Sequence, residues 1–357
     1  MMSNSQQDLQ DALAEIRQRM LANGRFASDQ KTRQRADQTR RDNAEKAAKS
    51  VFLRPNDLSG DYDFNRALMT TLGGKARVIT DDDLKAFARN IDVVKARYSQ
   101  GITPQQIIDW SLPEDRERAN KEIPLCAPFS RKEGVQRFMT NASKGSPVTN
   151  HYVTVEFLNF NDLVTQPRKV GLKLSREQLA KGAVKFDCDC GRHTFWFRYL
   201  ATIGKYAHGR QENGFPKIRN PQLQGVACKH VLRVMQFITS PLGVQYIQNQ
   251  VNKDRQAQLG QTIKQSNAQL KQQLEQQAKT AHHQRNKVQT TEERPAYKRK
   301  MAQEFAKEQQ RRQQQEMMAM AKAQQKAEAL AELESMKTNM SQRIYEMALK
   351  GIEEEYK

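Results

Sequence analysis

Cysteine is scarce in this sequence, and its scarcity excludes one class of protein. The 357 residues contain only four cysteines, Cys126, Cys188, Cys190 and Cys228. Small secreted domains held together by disulfides carry many more cysteines for their length. We therefore expect a reducing compartment and no disulfide framework.

Apolar residues are also few. Hydrophobic residues make up 37% of the chain and aromatic residues 7%, which predicts one modest core with long polar extensions. No run approaches the ~20 apolar residues that cross a bilayer. The opening stretch "MMSNSQQDLQ" lacks the basic and apolar regions of a signal peptide. We therefore expect no membrane span and a soluble, intracellular protein.

Acidic residues are outnumbered by basic ones. Lysine and arginine total 59 against 40 aspartate and glutamate, so the formal net charge is +19. This balance favours anionic partners such as nucleic acid. The alternative is a soluble protein whose helical arms happen to be basic.

Composition and apolar spacing divide the chain into four segments. They are an amphipathic helix and basic arm over 1–50, a helical region over 51–145, an α+β region over 146–240, and a glutamine-rich helical or coiled-coil tail over 241–357. The apolar stripe of the first segment lies over 5–22. The predicted fold class is α+β within a mainly helical chain that has long helical N- and C-terminal arms.

Two helices in the second segment have clear start signals. Thr80 and Asp83 form a capping-box pattern ahead of apolar residues at helical spacing, which predicts a helix over 81–98. Thr103 and Pro104 suit the N-cap and first position of a second, shorter helix.

Two stretches of the third segment are typical of strands. The segment "HYVTVEFLNF" at 151–160 alternates and is rich in β-branched and aromatic residues. The shorter "VGLKL" at 170–174 is a second candidate strand.

The tail is biased towards glutamine. Residues 256–289 contain eleven glutamines, and Pro295 must interrupt any helix there. An apolar stripe further on predicts an amphipathic helix over about 316–350 that associates with another helix, through Leu333, Met336, Met340, Ile344 and Met347. The competing interpretation is a disordered glutamine-rich tail, because few apolar residues are available there to pack against a partner.

The cysteines that do occur fall into close pairs. Cys188 and Cys190 form a CxC motif, and Cys228 and His230 form a CxH motif. Zinc prefers a tetrahedron of thiolate and imidazole ligands, and two segments that each give two ligands are a common way to build one. The pattern predicts a Zn²⁺ site held by these four residues. Alternatively, the first two are core cysteines that share one face of a strand.

Other residues compete for roles around this site. His193 and His208 are rival ligands, although each is more often an ordinary loop or strand histidine. Cys126 has no nearby partner in sequence, which indicates a buried or idle thiol. A catalytic zinc usually keeps three protein ligands and an open position, whereas CxC with CxH fills all four, so a structural site is expected.

The ordered CxC and CxH pairs resemble the SWIM-type zinc finger. That resemblance covers residues 183–240 and implies a small ββα zinc-binding domain, with "AVKFDCDC" as the first strand, "HTFWFRYL" as the returning strand and "ACKHVLRVMQFI" in a helix. The 37-residue spacer between the pairs is long for the family and contains an inserted loop over 204–225. The resemblance also implies binding to DNA or to partner proteins.

Basic residues are concentrated around these motifs. From Arg168 to Arg233 there are fourteen lysines and arginines and four acids. Cations interleaved with aromatic residues can neutralise phosphates and stack on bases. The alternative is that the aromatic residues form a small core and the cations a solvated rim. The predicted nucleic-acid contacts are Arg192, Trp196, Arg198, Lys205, Tyr206, Arg210, Lys217, Arg219 and Lys229.

No catalytic constellation stands out, and we expect a non-enzymatic protein. The sequence contains no Walker loop, HExxH, GxSxG or strand-linked GxGxxG motif. The acids at 81–83 suit a helix N-terminus better than a nuclease site. One hypothesis is a nucleic-acid-binding protein, most simply of DNA, that forms homo-oligomers through its helical arms. The other is an assembly protein in which zinc braces a small domain.

The overall composition resembles that of bacteriophage virion or ejection proteins, which pack beside DNA in a capsid. The resemblance lies in an amphipathic N-terminal helix, a compact centre and a glutamine-rich helical tail. It implies virion or other assembly proteins as partners, and a location in the bacterial cytoplasm with incorporation into a virion.

Overall fold

The structure, a computed structural model, divides into two compact units, Met1–Thr290 and Thr291–Lys357.

Among the described residues, no helix combines the length and apolar character that a membrane crossing requires. The predicted helix over 5–22 lies outside the described residues. The structure describes 32, 35–39, 42, 52–55, 69–146, 148–166, 168–255, 263–266, 268–270, 272–273, 277, 287–337 and 340–355.

The first unit mixes helices and strands, which confirms the coarse α and β prediction. Two π-helical turns, Arg176–Ala180 and His193–Phe197, accompany its α-helices. The α-helices are α1 (Asp81–Arg97), α2 (Pro104–Asp109), α3 (Pro113–Glu122), α4 (Phe160–Val164), α5 (Leu172–Ser175), α6 (Arg198–Ile203), α7 (Lys229–Thr239) and α8 (Pro241–Asp254).

An antiparallel sheet forms the other layer of this unit. Its strand order is β6-β5-β4-β3-β7, and β1 pairs with β2 in a separate antiparallel ribbon. The strand predicted over 151–160 is confirmed as β5 up to Phe157, whereas Phe160 begins α4. The strands are β1 (Met69–Thr70), β2 (Arg77–Val78), β3 (Cys126–Lys132), β4 (Val135–Asn141), β5 (Asn150–Phe157), β6 (Val184–Cys188) and β7 (Ile263–Lys264).

Both predicted helix starts in the second segment are confirmed. The Thr80 hydroxyl accepts a hydrogen bond from the Asp83 backbone N–H, and the Asp83 carboxylate accepts one from the Thr80 N–H. Thr103 and Gln106 make the same reciprocal pair at the start of α2, where Pro104 occupies the first turn. Each box satisfies amide groups that the first helical turn leaves without partners.

The core lies between the sheet and α7. Helix α7 packs against β3, β4, β5 and β6, and one row of side chains across the sheet, Phe138, Val153 and Cys188, is fully buried. The same hydrophobic cluster includes Phe87 of α1. The predicted segments 51–145 and 146–240 therefore share one core.

The predicted ββα frame is not found among the described residues, because its second strand is helical. Residues 191–203 form one helical segment that contains the π turn and α6. It begins where the Thr194 N–H donates to the Cys190 carbonyl at 3.1 Å. The buried residues His193, Thr194, Phe197 and Arg198 follow helical spacing. Aromatic and β-branched residues favour strands only where they pack on a sheet, and here burial in the core selects a helix.

The candidate strand over 170–174 is also wrong, because α5 begins there. The Val170 backbone N–H donates to the Asn252 side chain at 2.9 Å, and its carbonyl accepts from Gln248 and Asn252. Side chains of α8 therefore satisfy the backbone groups that a neighbouring strand would have paired.

The second unit contains two helices, α9 (Pro295–Met336) and α10 (Gln342–Glu355). Pro295 begins α9 rather than interrupting a helix, since a proline in the first turn gives up no needed N–H. With 42 residues, α9 is about 63 Å long at 1.5 Å per residue.

The single helix predicted over 316–350 is wrong, because the stripe is divided between α9 and α10. Leu333 and Met336 lie in α9, whereas Ile344 and Met347 lie in α10. The Ser341 carbonyl accepts from the Ile344 and Tyr345 N–H groups at the start of the second helix. Leu333 is buried, but the other three side chains are exposed.

Candidate metal centre

The end of β6 places the CxC motif. Residues 184, 186 and 188 of β6 are buried in alternation, so the Cys188 side chain points to the core face of the sheet. Cys190 follows the strand and is also buried. Its carbonyl accepts the first hydrogen bond of the helical segment 191–203. The strand end and the helix start thus fix the two cysteines on either side of Asp189.

The start of α7 places the CxH motif. Cys228 is the N-cap residue of α7, with an extended backbone, and its carbonyl accepts from the Leu232 N–H at 3.0 Å. His230 lies in the first turn and is buried. Because the N-terminus of a helix carries partial positive charge, it favours a thiolate at this position.

The four side chains converge on one point. Ligand atoms of Cys188, Cys190, Cys228 and His230 all lie within 4.8 Å of one another, and all four residues are buried. A tetrahedron with bonds of about 2.3 Å separates its corners by about 3.8 Å. The cluster is therefore close to the size that a metal ion requires, and this buried Cys₃His set can hold one.

The His230 ring carries the clearest sign of a missing partner. Neither Nδ1 nor Nε2 makes a hydrogen bond of good geometry to the described residues, although both atoms are buried. A buried polar group without a partner costs about 1–3 kcal/mol. Burial also lowers the pKa of His230, although the neighbouring Cys190 opposes this effect. The ring is therefore neutral at pH 7, which is the form that binds a metal.

Backbone amides support the sulfur atoms. The His193 N–H points at the Cys190 Sγ at 3.4 Å, and the Val231 N–H hydrogen-bonds to the Cys228 thiol. Burial raises the pKa of the Cys188 thiol well above its ordinary value. A bound cation would reverse this effect, because metal coordination requires the thiolate.

A histidine and an aspartate that the sequence did not single out lie beside the cluster. The His151 ring is 4.4 Å from the His230 ring, and its Nδ1 is 2.8 Å from the Asp189 carboxylate. The same carboxylate accepts from the Tyr152 N–H at 3.2 Å. Asp189 therefore ties β5 to the CxC turn. The sequence signal for Asp189 is its place between the two cysteines.

The rival ligands have partners elsewhere. His193 Nε2 lies 3.1 Å from the Asp187 carboxylate, and His208 Nδ1 lies 3.0 Å from Glu156. Neither histidine joins the Cys₃His cluster. Cys126 is a buried free thiol in β3, as expected, and burial raises its pKa far above the ordinary range.

The residues predicted to contact nucleic acid do not share one surface. Four of them are buried, three are half-buried and two are exposed. The buried ones cannot reach a polyanion from their positions in the core, which corrects their predicted role. The buried residues are Arg198, Tyr206, Lys217 and Lys229. The half-buried residues are Arg192, Trp196 and Arg210, and the exposed residues are Lys205 and Arg219.

Several of these cations are paired inside the molecule. Arg198 Nε lies 3.2 Å from the Asp187 carboxylate, and Arg198 Nη2 donates to the Cys188 carbonyl. Lys229 pairs with Glu122 of α3. These contacts hold segments that carry the Cys₃His cluster, so part of the local positive charge stabilises the fold.

Arg192 joins the helical segment to α3. It makes two hydrogen bonds to the buried Asp115 carboxylate, at 2.9 and 2.8 Å, and lies 3.7 Å from the centre of the Trp196 ring. Arg210 similarly pairs with the buried Asp37 carboxylate at 2.8 Å. Both half-buried arginines are thus neutralised by acids that lie far away in the sequence.

The carboxylates at 81–83 serve the start of α1. Asp83 accepts two hydrogen bonds from the Arg77 guanidinium, at 2.6 and 2.7 Å, while Asp81 and Asp82 are exposed. The Arg77 hydrogen bonds hold the pKa of Asp83 at about 2. This arrangement is a helix cap with an ion pair.

No protein-family model, curated protein or solved structure matches the chain.

Proposed function

We propose that this chain is a non-enzymatic protein that binds structural zinc and contacts nucleic acid. The observation that carries the zinc assignment is the closed set of four buried donors, in which neither nitrogen of the His230 ring makes a hydrogen bond of good geometry to the described residues. Zinc is the ion of choice because three thiols and one imidazole are its typical structural ligands.

The position of the site supports a structural role. The cluster joins the end of β6 to the start of α7, and α7 packs against four strands of the sheet. All four positions of a tetrahedron would be filled by protein, which leaves none for a reacting water. A metal held there would fix the central helix on the sheet.

Charge supports the nucleic-acid part of the proposal. The net charge of +19 is large. Basic side chains that neutralise phosphates release the counterions condensed on a nucleic acid, and this release favours binding. Because four of the predicted contacts are buried and two more are paired with acids, Lys205 and Arg219 are the predicted cations that stay exposed, and other cations outside that set can add to the surface.

The proposal is tested on protein purified without added metal. We expect one zinc per chain by elemental analysis, and binding to DNA that weakens steeply with salt. The variants Cys188→Ser and His230→Ala should lose zinc, whereas His193→Ala and His208→Ala should retain it. Full zinc occupancy in Cys188→Ser and His230→Ala, or loss of zinc in His193→Ala alone, would refute the ligand set.

DNA binding whose affinity does not change with salt concentration would refute the nucleic-acid part of the proposal.

A second candidate function is assembly through the tail, as a structural or ejection-type component of a phage particle. It is favoured by large apolar side chains that α9 exposes to water, where their exposure is unfavourable. They are Phe305, Met317, Met318 and Met320. A second copy of the chain is the simplest partner, since the same helix supplies the same stripe.

Light scattering on the full chain distinguishes this candidate. The variant Met317→Glu with Met320→Glu should reduce an oligomer to a monomer, whereas Gln313→Glu with Gln315→Glu adds the same charge at exposed polar positions and should not. A wild-type chain that is monomeric at all concentrations would count against assembly.

A further inference from the structure

A cleft of about 500 Å³ lies on the sheet face opposite the metal centre. Four of its lining residues form one row across adjacent strands. Strand pairing sets Ser130 opposite Arg137, Arg137 opposite Thr154, and Thr154 opposite Asp187. Residues alternate between faces along β6, so Asp187 points away from the face that carries Cys188.

The cleft offers positive charge and hydroxyl donors. Lys132 and Arg137 line it from the sheet, and Arg210 lines it from the neighbouring loop. Arg210 is paired with Asp37. Lys132 is exposed, and neither Lys132 nor Arg137 makes a salt bridge to a carboxylate within the described part of the chain, although the charge of Asp189 acts on Arg137 from a greater distance.

Arg137 is the central group of this cleft. Its Nε atom is buried and has no hydrogen-bond partner among the described residues, and burial lowers its pKa. Arg137 as a whole is half-buried and lines the cleft, so an anion bound there would offset the cost of burying the guanidinium charge.

The one carboxylate in the row does not cancel this charge. Asp187 already pairs with the His193 ring at 3.1 Å and with Arg198 Nε at 3.2 Å. The hydroxyl groups of Ser130 and Thr154 flank Arg137 in the row. A guanidinium between two hydroxyl groups is well suited to phosphate oxygens.

We propose that this cleft binds a phosphodiester of a single nucleic-acid strand, with Arg137 and Lys132 as the contacting cations. This inference rests on the proposed nucleic-acid function and names its surface. Among the described residues, no phenylalanine, tyrosine or tryptophan lines the cleft, and the lining residue His208 is held by Glu156 at 3.0 Å. The cleft therefore offers no free stacking platform for a base. Contacts to the backbone alone predict little dependence on sequence.

The test is fluorescence anisotropy of a labelled oligothymidylate with the full-length protein across a series of salt concentrations. The variants Arg137→Gln and Lys132→Gln should each lower the salt slope by about 0.7, and together by about 1.4. Exposed cations on α1 provide matched controls, and Arg89→Gln and Lys95→Gln should leave the slope unchanged. Zinc content monitors the folding of each variant, and Lys132 is exposed, so its replacement should be tolerated.

The outcomes separate the two proposals. If the wild-type protein binds neither the oligothymidylate nor duplex DNA, both proposals fail. If it binds duplex DNA alone, only the assignment of the cleft to a single strand fails. If it binds and the double variant keeps the full slope, only the cleft is wrong. A slope that falls instead in Lys205→Gln with Arg219→Gln would move the contact to the loop over 204–225. Displacement by adenosine triphosphate as effective as displacement by unlabelled oligothymidylate would assign the cleft to a free nucleotide and overturn the strand assignment.

Discussion

His230 is the residue on which the metal assignment depends most. Cysteines are often buried as small apolar side chains. A buried imidazole whose two nitrogens make no hydrogen bond of good geometry in the described part of the chain is not explained by packing. The neighbouring His151 ring is not one of the four residues whose ligand atoms converge, and its Nδ1 lies 2.8 Å from the Asp189 carboxylate. A metal ion bound to one nitrogen of His230 would remove the cost of burying that nitrogen.

Asp83 gives a prediction about pH at the residue scale. Its pKa is held at about 2, against an ordinary value of 3.8, chiefly by hydrogen bonds from Arg77. A pKa difference of 1 between the folded and unfolded states corresponds to about 1.36 kcal/mol, so the ionised cap stabilises the fold by about 2 kcal/mol. Because the folded-state pKa is lowered, this stabilisation is complete above about pH 5 and is lost as the pH falls from about 4 to about 2.

We therefore expect Asp83→Asn to lower the free energy of unfolding by about 2 kcal/mol at pH 7. The difference between wild type and variant should shrink below about pH 4, as measured by denaturant unfolding. Asp82→Asn is the matched control, because the Asp82 side chain is 92% exposed, and it should change little. An equal difference at neutral and at acidic pH would show that charge is not the cause.

Residues close in sequence could be predicted better than residues brought together by the fold. The Thr80 and Asp83 cap and the CxC and CxH pairs are local patterns, and the structure brings the four ligands together. The acids Asp37 and Asp115 lie far from the arginines they pair with. Nothing local in the sequence marks those acids as partners, so the sequence pattern alone indicates free cations.

At the scale of elements, the helical segment 191–203 is the main departure from the prediction. Its aromatic residues alternate like those of a strand, but a strand needs a neighbour with free backbone groups. Strand β6 already pairs with β5, and its Phe186 backbone bonds to Tyr206 and His208 on the other side. That edge of β6 is therefore occupied, whereas hydrogen bonds within a helix need no partner strand.

The bond between this segment and α3 gives a prediction at the element scale. Arg192 is half-buried and Asp115 is fully buried, and burial raises the pKa of Asp115 although Arg192 opposes that rise. Arg192→Ala would leave a buried carboxylate without its cation, so we expect a loss of about 3 kcal/mol in the free energy of unfolding. Denaturant unfolding measures this loss.

The Arg192→Ala variant also distinguishes a structural role of Arg192 from a direct contact with nucleic acid. Adding Asp115→Asn should recover part of the lost stability, because the unpaired charge is then removed. Arg89→Ala removes an exposed arginine of α1 and should cost less than about 0.5 kcal/mol. If Arg192→Ala instead kept full stability and lost affinity for DNA, the sequence-based assignment of Arg192 would be right.

At the scale of the first unit, the Cys₃His cluster and α1 belong to one core. Phe87 of α1 packs on Phe215 with ring centres 4.4 Å apart, and Phe215 packs on Tyr199 of the helical segment at 5.5 Å. The long spacer between the two ligand pairs supplies Phe215 and therefore fills the core. A separate finger over 183–240, with α1 in another core, would not have these contacts.

Continuity of the core predicts that removal of the zinc that we propose for the Cys₃His cluster unfolds α1 together with the cluster. A structural zinc contributes about 10–16 kcal/mol at neutral pH, which is comparable to the whole stability of a domain. The chain has two tryptophans, and they report on different places. Trp196 lies in the helical segment, whereas Trp110 packs on Tyr98 at the end of α1, with ring centres 5.6 Å apart.

Single-tryptophan variants, Trp110→Phe and Trp196→Phe, allow each place to be followed by fluorescence while a chelator is added. Both should report one transition with the same midpoint, and added zinc should reverse it. Helix content should fall only in part, because α9 belongs to the second compact unit and holds no ligand of the cluster. A change confined to Trp196 would show that the metal centre folds apart from α1, as the finger predicted from sequence would.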